Sequence, residues 1–232
     1  MWVVTGPTAS GKTSLAIDVA EHLGATLYNA DPFQFYSELR IISNRESFSG
    51  PSQFLGCFSL KDETISAGEF SRRSLDLLKE NGVWVGCGLY VGALLYGLDA
   101  DRRKGTPFQG APRTDFKMIV LNPDRGLLYE KINLRVEKML AEGALDEAKQ
   151  VFNLVERKEV SSTHPALKAI GLAHLLEYLQ GRQTLDQATE EWKQDTRRLA
   201  KRQWTWLRKF CPPSKMCHWV DKKEASKNFW HE

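Results

Sequence analysis

The stretch MWVVTGPTASGKTSLAIDVAEHLG, residues 1–24, decides how the rest of the chain is read. It opens with a short β-branched run that stops at Gly6, and residues 6–13, GPTASGKT, then fit the spacing G-x-x-x-x-G-K-[ST]. From about Lys12, apolar Leu15, Ala16, Val19 and Leu23 recur at helical spacing until Gly24 ends the pattern. Strand, glycine loop and helix in that order make a phosphate cradle. Gly6 and Gly11 let backbone N–H groups turn inward at a helix N-terminus, where the dipole favours negative charge. Thr8, Ala9, Ser10 and Ser14 belong to the same phosphate-binding set. Lys12 adds a fixed positive charge, and the Thr13 hydroxyl can ligate Mg2+. A diphosphate or a triphosphate is expected here.

Outward from the loop, the pattern alternates. ATLYNA (25–30) reads as a strand and residues 37–65 as loop. SAGEFSRRSLDLLKENG (66–82) reads as one helix with a capping box at Ser66 and Glu69 and a terminal Gly82. VWVG is a third strand, followed by the buried helix LYVGALLYGL. After a polar linker comes a strand, FKMIVL, and then helices over about 126–142, 144–155 and 165–180. A long basic helix starts at the capping box of Thr184 and Gln187 and runs to about Phe210; MCHWVD closes the pattern as a last short strand. The expected fold class is α/β: a P-loop NTPase-like open parallel sheet flanked by helices, with a mostly helical C-terminal part. One domain is expected over 1–232, made of a phosphate-binding half (1–98), a linker (99–116) and a helical half (117–232).

Composition fits a soluble protein with one sizeable core: 42% hydrophobic and 26% charged over 232 residues. No apolar run is long enough to span a bilayer, and the first strand begins at once, so neither membrane span nor leader is expected. The four cysteines (Cys57, Cys87, Cys211, Cys217) are scattered, which suits reduced thiols in a cytoplasm; Cys211, Cys217 and His218 lack the spacing of paired metal knuckles. A net charge of +3 is unevenly spread, the front half being mildly acidic and the back half basic, so an anionic partner would meet the C-terminal part.

Binding a phosphate is not hydrolysing one. Asp31, in NADPFQFY (29–36), is the only strand-end acid of the front half, because the third strand ends in GCGLY with no carboxylate. Asp31 is thus either the metal ligand of a kinase or a base for other chemistry. Arg135 interrupts the stripe of Leu128, Ile132 and Met139, so it either pairs with a structural acid or faces a ligand. Between Trp192 and Lys209 stand seven basic residues and one acid, with tryptophans among them. That is a solvated helix face or a nucleic-acid contact.

In order, GPTASGKTSLA, NADPFQFY, GCGLYVGALLYGL, YEKINLRVEKMLAEGALDEA, ALKAIGLAHLLEYLQG and TRRLAKRQWTWLR resemble the tRNA dimethylallyltransferase family over roughly 1–98 and 117–210. A cytoplasmic monomer is expected, and the resemblance implies an enzyme. Its loop would hold dimethylallyl diphosphate with Mg2+, and N6 of an adenosine beside the anticodon of tRNA would attack the allylic carbon. Asp31 would take the amine proton, with Lys12, Cys87 and Arg135 completing the catalytic set. Asp31, Pro32, Phe33, Gln34 and Cys87 would meet the adenosine, Gln34 by pairing with its edge and Phe33, Phe35 or Tyr36 by stacking. Lys168, Gly171, Arg198, Lys201, Arg202, Gln203 and Arg208 would meet the rest of the tRNA.

Four departures from the family pattern bear on this expectation. Pro32 replaces a serine, removing a hydroxyl and an N–H beside the base, and Cys87 replaces a threonine. The linker 99–116 stands where the family has a helical insertion that grips the anticodon arm, with Arg102, Arg103 and Lys104 as its only basic cluster. The double-histidine motif of the family is absent from 40–65. Prenylation of free AMP, a small-molecule kinase and a non-catalytic RNA-binding remnant therefore stand as alternatives.

Overall fold

The computed structural model describes residues 1–62, 64–98, 108, 110–211, 214 and 216–220. Six parallel strands form one sheet in the order β3-β2-β4-β1-β5-β6: β1 (Trp2–Thr5), β2 (Thr26–Ala30), β3 (Ser52–Gln53), β4 (Gly82–Gly86), β5 (Lys117–Leu121) and β6 (Cys217–Val220). The helices are α1 (Lys12–Leu23), α2 (Ala67–Arg73), α3 (Leu89–Tyr96), α4 (Arg125–Ala141), α5 (Ala144–Glu156), α6 (Ile170–Leu179) and α7 (Leu185–Phe210).

Successive strand residues point to opposite faces, and both faces are covered, so the central strands are apolar without interruption. Val4, Leu27, Val83, Val85, Ile119 and Leu121 pack with Leu15, Ala16 and Val19 of α1. Their neighbours Val3, Tyr28, Trp84, Met118 and Val120 face the larger core formed with α3 and the C-terminal helices. Between β1 and β2 the chain passes over β4, whereas β5 lies on the other side of β1. That reversal opens a crevice at the carboxyl ends of the strands, where open α/β sheets bind ligands.

Four expectations need correction. The helix expected over 66–82 ends at Arg73, resumes as a 3-10 turn over Asp76–Lys79, and gives way to a strand at Gly82. Ser66 accepts the Glu69 N–H as foreseen, but the Glu69 carboxylate goes to Arg72 and Arg73 instead of closing the box. The loop 37–65 contains the short edge strand β3. The helix expected from Pro165 is broken: Pro165–Lys168 is a 3-10 turn, and Ala169 is extended (φ −56, ψ 126) before α6 begins. The capping box of α7 is complete, and Ala188, Trp192, Thr196, Ala200, Trp204 and Leu207 form its buried stripe.

A buried carboxylate ties the long loop to the helical half. Glu147 of α5 accepts the backbone N–H groups of Ile41 (2.7 Å) and Ile42 (2.8 Å). Removing it strands two buried donors. Glu147→Ala is expected to cost about 2–3 kcal/mol, read as a lowered urea midpoint with an unchanged slope.

Candidate active site

The phosphate loop leaves β1 at Gly6 and enters α1 at Gly11, which sits in the left-handed region (φ 90). Ala9 is left-handed too (φ 64), which a residue with a Cβ resists. Two hydrogen bonds fix its neighbour: the Thr8 N–H donates to Gln203 Oε1 of α7 (2.7 Å), and Arg135 Nη2 of α4 donates to the Thr8 hydroxyl (2.6 Å). Ala9 itself packs on Leu128, Ile132, Ala200 and Trp204 of those same helices.

β2 delivers Asp31 to the same crevice. The Asn29 side chain accepts the Asp31 N–H (3.1 Å) and donates to the Phe54 carbonyl (2.9 Å), which anchors the strand end. Asp31 caps the 3-10 turn Pro32–Phe35, and its Oδ1 accepts the Phe33 N–H (3.1 Å). Pro32 occupies the first position of that turn, where an N–H has no internal partner and a fixed φ suits the geometry. The replaced serine thus costs little here, because the turn is closed through Phe33.

Thr8, Lys12, Thr13, Asp31, Phe33 and Gln34 face Arg135, Val136, Met139, Ile170, Gly171 and Trp192 across a cavity of ≈ 100 Å³. A second cavity of ≈ 180 Å³ shares Lys12, Thr13, Asn44 and Arg135 with the first and adds Ala9, Gly11, Glu46 and Lys131. One cavity is therefore half apolar, with a carboxylate. Its neighbour is lined by the loop, by the cations Lys12, Lys131 and Arg135, and by Glu46.

Burial pulls the Lys12 ammonium below its ordinary pKa, against the opposing charge of Asp31. The Arg135 guanidinium is pulled down to about 10 by burial, again against Asp31. Burial raises the Asp31 carboxyl, resisted by Lys12, the Phe33 N–H and Arg135. Among the described residues neither cation makes an ion pair, and Arg135 Nε and Ser10 Oγ are buried without a hydrogen-bond partner. A polyanion with several oxygens in these cavities would satisfy Lys12 and Arg135, the Arg135 Nε–H included.

Other expected site residues are placed as follows. Ser14, in the first turn of α1, is half-buried. Cys87 is half-buried and feels both Lys12 and Asp31, but it does not line either cavity, and burial pushes its thiol up to about 11. A thiol held that high stays protonated near neutral pH. Gln34 is buried, and its amide donates to the carbonyls of Ser43 (3.1 Å) and Asn44 (3.4 Å). Only its carbonyl oxygen, which has no partner among the described residues, is left for a ligand amine. Phe33 lies on the cavity wall, but Phe35 and Tyr36 are core residues, Phe35 within a cluster of Phe54, Phe58, Phe70 and Tyr90.

Arg198, Lys201, Arg202 and Arg208 are exposed on α7, and the first three line a groove of ≈ 400 Å³ with Thr205. Arg198 also pairs with Asp195 (2.8 Å). Gln203, expected at the RNA, is turned into the phosphate loop instead, because the buried Ala200 and Trp204 fix the rotation of the helix. Lys168 is exposed on the turn before the break. Gly171 is buried: a Cβ there would lie 2.4 Å from the Trp192 ring, so its role is to let α6 approach α7. Gly171→Ala should therefore push Trp192 off the cavity wall and cost about 1–3 kcal/mol, measurable as a lower urea midpoint. Arg102, Arg103 and Lys104 lie outside the described residues.

Comparison with known proteins converges on one family. Residues 1–79 match the family Isopentenyl transferase and residues 101–210 the family IPP transferase. The tRNA dimethylallyltransferase of Salinibacter ruber is 31% identical, the alignment covering 89% of this chain and 84% of the relative. That of Christiangramia forsetii is 30% identical, with 98% and 95% covered.

The chain belongs to the tRNA dimethylallyltransferase family.

The full-length tRNA isopentenylpyrophosphate transferase of Bacillus halodurans has the same fold, with a TM-score of 0.81 at 23% identity over 97% of this chain and 92% of that one. A eukaryotic dimethylallyltransferase whose structures show it acting on tRNA gives 0.83 at 19% identity, over 98% and 75%. The alignment with the Christiangramia dimethylallyltransferase is 298 positions long against 232 residues here, so that relative carries sequence with no counterpart in this chain. Sequence reasoning had passed over Asn44, Glu46, Lys131 and Trp192 as cavity residues of this family member. Lys131 was within reach, since it stands one turn before Arg135 on the same face of α4. Asn44 and Glu46 sit in a loop without periodicity and gave no signal.

Proposed function

We propose that this chain, as a cytoplasmic monomer, transfers a dimethylallyl group from dimethylallyl diphosphate to N6 of the adenosine beside the anticodon of tRNA. The observation that carries this reading is the pair of half-buried cations, Lys12 and Arg135, which make no ion pair among the described residues and share one cavity with Asp31, whose carboxyl burial raises. Lys12, Lys131, Arg135 and the loop N–H groups hold the diphosphate. They stabilise the charge it gathers as the allylic C–O bond breaks. The apolar wall of Val136, Met139, Ile170 and Trp192 receives the five-carbon chain and keeps water from the allylic carbon. Asp31 takes a proton from the exocyclic amine as N6 attacks, and the Gln34 carbonyl accepts the amine's other hydrogen. The exposed Arg198, Lys201 and Arg202 lie along the RNA backbone.

Among the described residues no cluster of three or more His, Cys, Asp or Glu could hold a metal, whereas the Thr13 hydroxyl lines both cavities. That donor set fits an Mg2+ ligated by Thr13 and otherwise by diphosphate oxygens. Such an ion would neutralise charge on the leaving group. No described helix is long and apolar enough to cross a membrane.

Acceptor competition tests the proposal. With dimethylallyl diphosphate and Mg2+, unmodified tRNA is expected to be prenylated at a kcat/KM far above that for AMP, with no consumption of ATP. Equal or faster product from AMP would overturn the tRNA assignment, and ATP turnover would point to a kinase.

A further inference from the structure

The phosphate loop is held from outside by a residue of the helix that presents the basic groove. Gln203 is half-buried, and its Oε1 accepts the Thr8 N–H at 2.7 Å, a contact spanning 195 residues of sequence. Next to it, Trp204 is locked by burial and by an indole hydrogen bond to Asn122 (3.1 Å) just past β5, so Gln203 has little freedom to swing away. The loop needs holding. Ala9 lies at φ 64, a conformation that persists only where the surroundings over-determine it. Its restraints are the Arg135 bond to the Thr8 hydroxyl, the packing of Ala9 on Ala200 and Trp204, and Gln203.

We propose that Gln203 is a positioning residue for the donor: it fixes the Thr8 amide and so keeps the phosphate loop in its diphosphate-accepting form before any ligand arrives. The Thr8 N–H is thereby committed to the protein. Arg135 is drawn to the loop through Nη2 while its Nε–H, buried and unpartnered, is left for the anion. The two residues before Gln203 along α7, Lys201 and Arg202, face outward into the basic groove, so one rigid helix holds the donor loop on one side and offers cations on the other. The inference rests on reading the loop cavity as a diphosphate site.

The test uses Gln203→Met, which keeps length and removes the acceptor, and Gln203→Glu, which keeps an acceptor oxygen. Binding of inorganic diphosphate with Mg2+ is measured calorimetrically without RNA, and exchange of the Thr8 amide hydrogen is followed in ligand-free protein. Thr8 should be protected in the native chain and in the Glu variant. In the Met variant it should exchange freely and diphosphate affinity should fall about tenfold, the effect of one unsatisfied buried donor. Unchanged diphosphate affinity and Thr8 protection in the Met variant, with only RNA binding lost, would overturn the proposal in favour of an RNA contact. Should the Met variant not fold, a Thr8 amide unprotected in the native chain would overturn it equally. Native protein that binds no diphosphate would defeat the donor-site reading as well. Diphosphate binding with no prenylation of tRNA would defeat the acceptor assignment alone.

Discussion

Asp31→Asn is expected to slow prenyl transfer by roughly 10²–10⁴-fold at saturating substrates while leaving donor affinity undiminished. The asparagine keeps the shape and can still accept the Phe33 N–H, but it cannot take a proton from the adenosine amine. Donor binding is spared because Asp31 opposes the diphosphate electrostatically, standing beside the Lys12 and Arg135 charges that attract it. The pH dependence has a definite sign. Burial raises the Asp31 pKa above its ordinary value of 3.8, and the base works only when ionised. Activity is therefore present above the raised pKa and lost as pH falls through it, giving an acid limb displaced upward from that of an exposed aspartate. Single-turnover rates across pH should show that limb in the native chain and none at that position in Asp31→Asn. An unaltered limb in the variant would assign the proton transfer elsewhere.

Lys12→Met should be the other severe lesion, reducing kcat/KM by about 10³-fold through both donor binding and turnover. The half-buried Lys12 lines both cavities and pairs with no acid among the described residues, so its charge is available to a departing diphosphate. Methionine retains the apolar stem, so thermal unfolding should change little. The two variants are distinguishable. Inorganic diphosphate should bind Asp31→Asn at least as well as the native chain and Lys12→Met much more weakly, by calorimetry.

What the sequence disclosed was what local patterning controls. The loop at 6–13 lies between a strand and a helix because a β-branched run gives way to helical spacing at Lys12, and α7 starts at Leu185 because Thr184 and Gln187 close a box. Arg135 stood out as a charge within an apolar stripe, and it does reach the loop. Features set by tertiary packing were not visible. The break at Ala169 follows no proline or glycine at that position; it brings Ile170 and Gly171 to the cavity beside Trp192. Gln203 lies in a run that reads as basic and RNA-facing, and only the burial of Ala200 and Trp204 turns it toward Thr8. Nothing in the sequence of α5 singles out Glu147, which caps two backbone donors of a loop more than a hundred residues away.

The most direct test is to map the product. Unmodified tRNA, dimethylallyl diphosphate and Mg2+ are incubated with the protein, the RNA is cut with nucleases, and the fragments are weighed by mass spectrometry. One dimethylallyl group on N6 of the adenosine beside the anticodon is the expected result. Prenylation at another position, or an RNA left unmodified by protein that binds both substrates, would contradict it.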